Sequence, residues 1–356
     1  MNSVDLIQIR WSTAARRWVL PRRGSDTSSR RVERQTGKRS RPELRSLLFD
    51  ERAKTCEECL RSSVLTRDFD ETARGWVAVM QARWVDPTAA SEPLVPEHEG
   101  LVWYFWNHVW HADGAHRKLP ALWLQTESPA FVVRAAASAR ALKLAIRARR
   151  GQAPDAWLTD REVEAFALLR EALSVAPEAE YVSARRAAGE VWEGADHTLR
   201  CALAFAFPES REWGNRALEG CLGRSGSRET GNALVVGSGA EPSTLAALVA
   251  QEMYPSPLAR YALDFADRNG LDALPGLVSL YQGVHDHAYQ RSLSLALSVF
   301  EGAQIADLFA QRLDDWKKPP RVEVEYLQRH PILARPAIQD RDGPRIQAVL
   351  QGLAQR

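Results

Sequence analysis

The side chains best equipped for chemistry crowd into one stretch, Asn107-His108-Val109-Trp110-His111-Ala112-Asp113-Gly114-Ala115-His116. Imidazole nitrogens and a carboxylate are the donors that zinc or iron accepts. On a helix, His108 and His111 would share a face at i, i+3, while Gly114 is expected to end that helix and leave His116 on a loop. The glutamate base of a zincin helix is missing. A plainer arrangement uses the same residues. Trp103, Trp106 and Trp110 recur at i, i+3, i+7, so they can bury one helix face with the histidines beside them. That arrangement is the expectation. No stoichiometric metal and no cofactor are expected, and His108, His111, Asp113 and His116 stand as the metal-ligand candidates if one binds.

Three further constellations are weaker. Cys56 and Cys59 have the spacing of a metal knuckle or redox pair, but Cys201 and Cys221 are too distant to complete a motif, and two thiols on one helix face can simply be buried. Leu234-Val235-Val236-Gly237-Ser238-Gly239 imitates a strand feeding a phosphate-binding turn, yet Glu241-Pro242 occupies the place of the third glycine. His285-Asp286-His287 suits a helix start better than a metal. No Gly-x-Ser-x-Gly elbow occurs, so no catalytic residue is named.

Charge supplies the remaining signal. The net charge of +2 demands no polyanionic partner, but its distribution is uneven. Residues 1–50 hold 12 basic and five acidic side chains, a net +7, which leaves the rest of the chain acidic. Arginines interleaved with Trp11 and Trp18 could bind phosphates and stack on bases. Arg16, Arg17, Arg22, Arg23, Arg30 and Arg31 are the partner-binding candidates, with another protein as the expected partner and nucleic acid as the alternative.

The elements that must position these residues read as helices. Residues 21–42 are Arg, Ser, Thr and Gly with almost nothing apolar, which predicts a partly disordered linker. Leu6, Ile7, Ile9, Trp11, Trp18, Val19 and Leu20 before it suggest a short hairpin or a docked arm. Prolines 87, 93 and 96 mark a soft boundary, giving an arm over 1–42, a small helical segment over 43–95 and a helical body over 96–356. In the body, Thr159 and Glu162 have capping-box spacing ahead of Val163, Phe166, Leu169 and Leu173. Leu245, Leu248, Val249 and Met253 form the next stripe. Ser256-Pro257 opens a helix carrying Leu258, Tyr261, Ala262 and Phe265, and Asn269-Gly270 stops it. Ile346, Val349, Leu350 and Leu353 repeat the pattern at the end. Strand signals shrink to Leu234-Val235-Val236 and Val322-Glu323-Val324. Leu119-Pro120-Ala121-Leu122, Leu274-Pro275-Gly276-Leu277 and Arg335-Pro336-Ala337-Ile338 each put a proline ahead of a helical turn, at unequal spacing.

The stretch Tyr326-Leu327-Gln328-Arg329-His330-Pro331-Ile332-Leu333-Ala334-Arg335-Pro336-Ala337-Ile338 resembles the arginine-histidine-proline helical-repeat signature of large bacterial WGR-associated, MolR-like proteins. Leu119 to Ala141 is similar to the same repeat region, so the resemblance spans roughly residues 100–356. It implies a HEAT-like helical fold, carries over no catalytic residue, and lacks the family's Trp-Gly-Arg motif, since Trp213-Gly214-Asn215 is not one.

These readings together predict an all-α protein, an irregular α-solenoid of HEAT-like stacked helix pairs with a basic N-terminal arm. The expected role is a non-enzymatic protein-interaction scaffold. A nucleic-acid-binding HEAT-like protein, base repair included, is the alternative, and a metal-dependent enzyme at His108 and His111 ranks third. Four cysteines in 356 residues fit a reducing compartment, and no secretory leader or membrane span is visible, so the expected location is the cytoplasm.

Overall fold

The computed structural model describes residues 7–17, 19–23, 95–108, 115–152, 158–222, 229–251, 256–284, 286–313, 321–339, 341 and 343–354. Helix dominates them, and strand is confined to two dipeptides. All of the small segment expected over 43–95 except Val95, the Cys56–Cys59 pair, and Arg30, Arg31, His111 and Asp113 lie outside the described residues.

Two compact units emerge. The first is Leu20–Trp213; the second joins Met1–Val19 to Gly214–Arg356, and the division falls within one helix. The body expected over 96–356 contributes to both units, and the arm expected over 1–42 is shared between them. The second unit begins with strand β1 (Gln8–Ile9) and the single turn α1 (Thr13–Arg16), which Ser12 caps by accepting from the Ala15 N–H at 3.1 Å. Among the described residues of this segment, β1 pairs with the distant Phe300–Glu301.

The first unit is built from α2 (Pro96–His108), α3 (Ala115–Thr126), α4 (Pro129–Arg149), α5 (Asp160–Val175), α6 (Glu178–Gly194) and α7 (His197–Ala206). Short polar caps set their starts. Ser128 accepts from Phe131 N–H ahead of Pro129, which lacks a donor to satisfy, and Asp196 accepts from Thr198 N–H. The Thr159–Glu162 capping box forms as the spacing predicts: Glu162 N–H donates to Thr159 Oγ1 at 3.3 Å and Thr159 N–H to Glu162 Oε2 at 2.6 Å. Helices two apart in sequence pack together: α2 on α4, α4 on α6, α3 on α5, α5 on α7. Between them lie two aromatic clusters. Trp103 meets Trp123 edge-on at 6.3 Å, and Trp123 meets Phe131 at 5.9 Å. Trp192 stacks on Trp213 at 5.0 Å, with Phe207 edge-on to Trp213 and Tyr181 tilted against Phe207.

After α8 (Arg211–Cys221), which spans the division, the second unit continues with α9 (Glu229–Gly237), α10 (Pro242–Gln251), α11 (Ala262–Asn269), α12 (Leu274–Gly283), α13 (His287–Leu297), strand β2 (Phe300–Glu301), α14 (Ala303–Gln311), α15 (Arg321–Arg329), α16 (Pro331–Ile338) and α17 (Pro344–Ala354). The alternate-helix rule holds again. The chain of contacts runs α9, α11, α13, α15, α17, with α10 on α12 and α14 on α16. An aromatic ladder, Tyr281 to Phe309 to Tyr326, steps through its core at 5.8 and 5.1 Å.

Several local expectations are corrected. Leu234-Val235-Val236 and Val322-Glu323-Val324 are helical, in α9 and α15. A run of three apolar residues fits a buried helix turn as well as a strand, and Leu234, Val235 and Val236 are all buried. Gly237-Ser238-Gly239 therefore ends a helix rather than opening a phosphate turn. Ser238 N–H donates back to Leu234 O at 2.8 Å, and Gly239 takes φ +71°, the left-handed stop that suits glycine. Ser256–Tyr261 is a 3₁₀ turn, with the α-helix starting at Ala262, although Leu258, Tyr261, Ala262 and Phe265 are all buried as the stripe requires. Gly270 ends it at φ +59°. Of the three prolines read as leading a helical turn, Pro275 does; Pro120 and Pro336 lie inside α3 and α16.

Candidate functional site

His108 is the last residue of α2, and His116 belongs to the first turn of α3 rather than to a loop. Trp103, on α2, is buried at 2% exposure, as the core reading of the tryptophans predicts for it. His287 starts α13, where Tyr289 and Gln290 N–H groups donate to the Asp286 carbonyl. That is the helix-start arrangement.

The arginine candidates separate by environment. Arg16 and Arg17 are exposed at the end of α1, and Arg22 is half-buried. Arg23, expected to hang from a flexible linker, is instead clamped within the first unit. Its backbone N–H donates to Glu209 Oε1 at 2.8 Å, and its guanidinium donates to Ala176 O at 2.7 Å and to Glu178 Oε2 at 2.7 Å. The guanidinium also lies over the Tyr181 ring at 4.6 Å. The physical reason is the C-terminal pole of α5: its last carbonyls lack helical partners and carry partial negative charge, which a planar cation satisfies. Arg170 Nε donates to Pro21 O, which fixes the chain two residues earlier as well. Tyr181 O–H donates to Glu209 Oε2 at 3.3 Å, and burial together with that carboxylate pushes its phenol up to about 12.

Elsewhere the ionisable groups are spent on one another. Arg140 grips Asp196 through two parallel bonds of 3.0 and 2.6 Å, and the same Asp196 caps α7. Lys143 Nζ donates to Glu162 Oε2 at 2.9 Å; burial lowers its pKa below 10.5 while Glu162 opposes that shift. Glu323, 1% exposed on α15, receives three donors on one oxygen: Tyr281 O–H at 2.9 Å, Ser294 O–H at 2.5 Å and Gln290 N–H at 3.3 Å. Desolvation, then the charge of Glu323, raises the Tyr281 phenol far above 10. His197 Nε2 approaches Cys201 Sγ at 3.5 Å, one turn apart on α7, with the thiol fully buried. A nucleophile needs a base within reach and an open face. The networks named here are closed, and they stabilise helix contacts.

Sequence reasoning missed one constellation altogether. Arg10, Glu301, Tyr326 and His330 converge around the strand pair of the second unit. Tyr326 and His330 stand inside the signature quoted above, but nothing in the sequence ties them to residues 8–10. No helix among the described residues is long and apolar enough to cross a membrane. No family model, curated protein or solved structure matches the chain.

Proposed function

We propose that the chain is a non-enzymatic protein-interaction scaffold in which each unit is a short, irregular solenoid of HEAT-like helix pairs. The observation that carries this reading is the alternate-helix packing within each unit, α2–α4–α6 beside α3–α5–α7 and α9–α11–α13–α15–α17 beside the remaining pairs. Stacked pairs leave one row of helices free to meet a partner over a long face, with affinity concentrated in a few anchors. Two further facts support it. The buried charges close on each other, as in Arg140–Asp196 and Lys143–Glu162, so they furnish structure rather than chemistry. Apolar side chains also stand in solvent on the first unit, Val175 and Val182 at 46% and 44% exposure. The resemblance of Tyr326–Ile338 to the repeat signature points the same way. Buried Cys201 and Cys221, which form no disulfide, suit a reducing compartment, and the proposed location is the cytoplasm.

Exposed Arg16 and Arg17 favour a second reading, nucleic-acid binding through the arm. Two measurements separate the readings. A photo-crosslinker at Val182 should give a discrete protein adduct that survives nuclease and disappears on Val175→Asp. Binding to a labelled duplex should be weak, about 10⁻⁴–10⁻⁶ M at physiological salt, and should fall further when Arg16, Arg17 and Arg22 become Ala. Tight duplex binding that survives those substitutions would replace the scaffold by a nucleic-acid binder.

A further inference from the structure

The only sheet among the described residues is two residues long on each side, and one side is the docked arm. Gln8 stands opposite Glu301 and Ile9 opposite Phe300, antiparallel, and Arg10 N–H extends the contact to Val299 O at 2.6 Å. The receiving edge is shaped for this segment. Gly302 follows β2, and a Cβ there would come to 3.0 Å from Ile7 Cγ1, so the missing side chain makes room for Ile7. Tyr326 fastens the edge from behind: its O–H donates to Phe300 O at 3.1 Å and its oxygen accepts from Gly302 N–H at 3.2 Å. His330 lies against the Tyr326 ring at 4.6 Å.

The hold on the arm is shallow. Gln8, Ile9 and Arg10 are exposed, and so short a strand pair is marginal by itself. One carboxylate connects the arm to the edge. Glu301 Oε2 is 3.3 Å from Arg10 Nε, and Glu301 Oε1 is 3.8 Å from His330 Nε2. We infer that residues 7–10 are a releasable strap on the Val299–Gly302 edge, latched by Arg10–Glu301 and loosened when His330 takes a proton.

The groups around the imidazole set the direction. Glu301 of β2 attracts a protonated His330, whereas Arg10 of the strap and Arg329 of α15 repel it. Neutral His330 leaves the carboxylate to Arg10. Protonated His330 competes for the same carboxylate and places a like charge toward the guanidinium. Burial first, and then the arginines against Glu301, hold the imidazole below 6.5. Coupling is reciprocal: whatever factor strap docking removes from the proton affinity of His330, the proton removes from strap docking. The strap is therefore closed above neutrality and loosens as pH falls through the depressed pKa of His330.

Hydrogen exchange of the full chain, followed by mass spectrometry on peptides covering residues 7–12, tests this. Rates are compared at about pH 7.5 and about pH 5 after correction for intrinsic exchange, which spans the histidine range. Protection of the Arg10 amide should fall about fivefold on acidification, the low end of ordinary site–site coupling. His330→Gln should hold protection constant across the two conditions. Arg10→Ala, an exposed position that leaves the core intact, should lower protection at neutral pH and show no further loss in acid. Equal wild-type protection at both pH values would overturn the inference, as would an undiminished acid response in either variant.

Discussion

Removing Lys143 alone should cost more stability than removing it together with the charge of Glu162. The pair joins α4 to the start of α5, with both side chains under 10% exposed, Lys143 at 9% and Glu162 at 6%. Breaking a buried ion pair from one side strands the other charge and costs about 3–5 kcal/mol. Glu162 Oε2 still accepts from Thr159 N–H in Lys143→Met, which places the loss near the lower end. We expect about 3 kcal/mol, or about 6–12 °C in the transition of the first unit at the usual ~2–4 °C per kcal/mol for a body of this size. In Lys143→Met/Glu162→Gln no charge is stranded, and Gln at the third helical position can still bond back to the cap. The double variant should recover about 2 kcal/mol of the loss. Calorimetry and urea titration followed by tryptophan fluorescence measure both. Acid should narrow the gap between Lys143→Met and wild type, because protonation neutralises the stranded carboxylate. Lys143 is held below 10.5 by burial, so this group adds stability as pH rises toward 10.5, and Lys143→Met should lose that rise. A neutral single variant, or a double variant worse than the single, would refute the assignment of this pair as a buried, mutually neutralising one.

Arg23→Ala should destabilise the first unit by about 1–2 kcal/mol, the scale of a charge-assisted bond to Ala176 O together with the helix pole and the Tyr181 ring, and should speed tryptic cleavage after Arg22. Unchanged stability and cleavage would return residues 21–23 to the linker. Gly100→Ala should cost about 1–3 kcal/mol by thermal melt, because its Cβ would strike Ala135 O and come to 2.8 Å from Ser138 Cβ and 2.9 Å from Ala139 N where α2 crosses α4. Tyr181, raised to about 12, and Tyr326, also raised to about 12, contribute stability that is complete below 10 and lost as pH climbs through 12. Tyr181→Phe should flatten that alkaline loss in urea titrations.

The helical class was legible because periodicity and caps agree. Thr159 and Glu162 announce their helix, and Val163, Phe166 and Leu169 behind them are all buried. Runs too short to show a period misled the reading: Leu234-Val235-Val236 and Val322-Glu323-Val324 look the same in a strand and in a helix turn. Arg23 was illegible for a different reason. Composition described its neighbourhood, but its fate depends on carbonyls at the end of α5 and on Tyr181, about 150 residues away along the chain. The same holds for Glu323, which a polar-residue count would place in solvent and which the fold surrounds with three donors.

The strand pair also sets a schedule. Gln8 leaves the ribosome about 290 residues ahead of its partner Glu301. At about 5–20 residues per second, that is a wait on the order of 15–60 s. Helices α2 to α13, whose contacts are with neighbours a few tens of residues away, can assemble as they appear. Through that interval Ile7-Gln8-Ile9-Arg10 has no edge to pair with, while the helices between them find their neighbours.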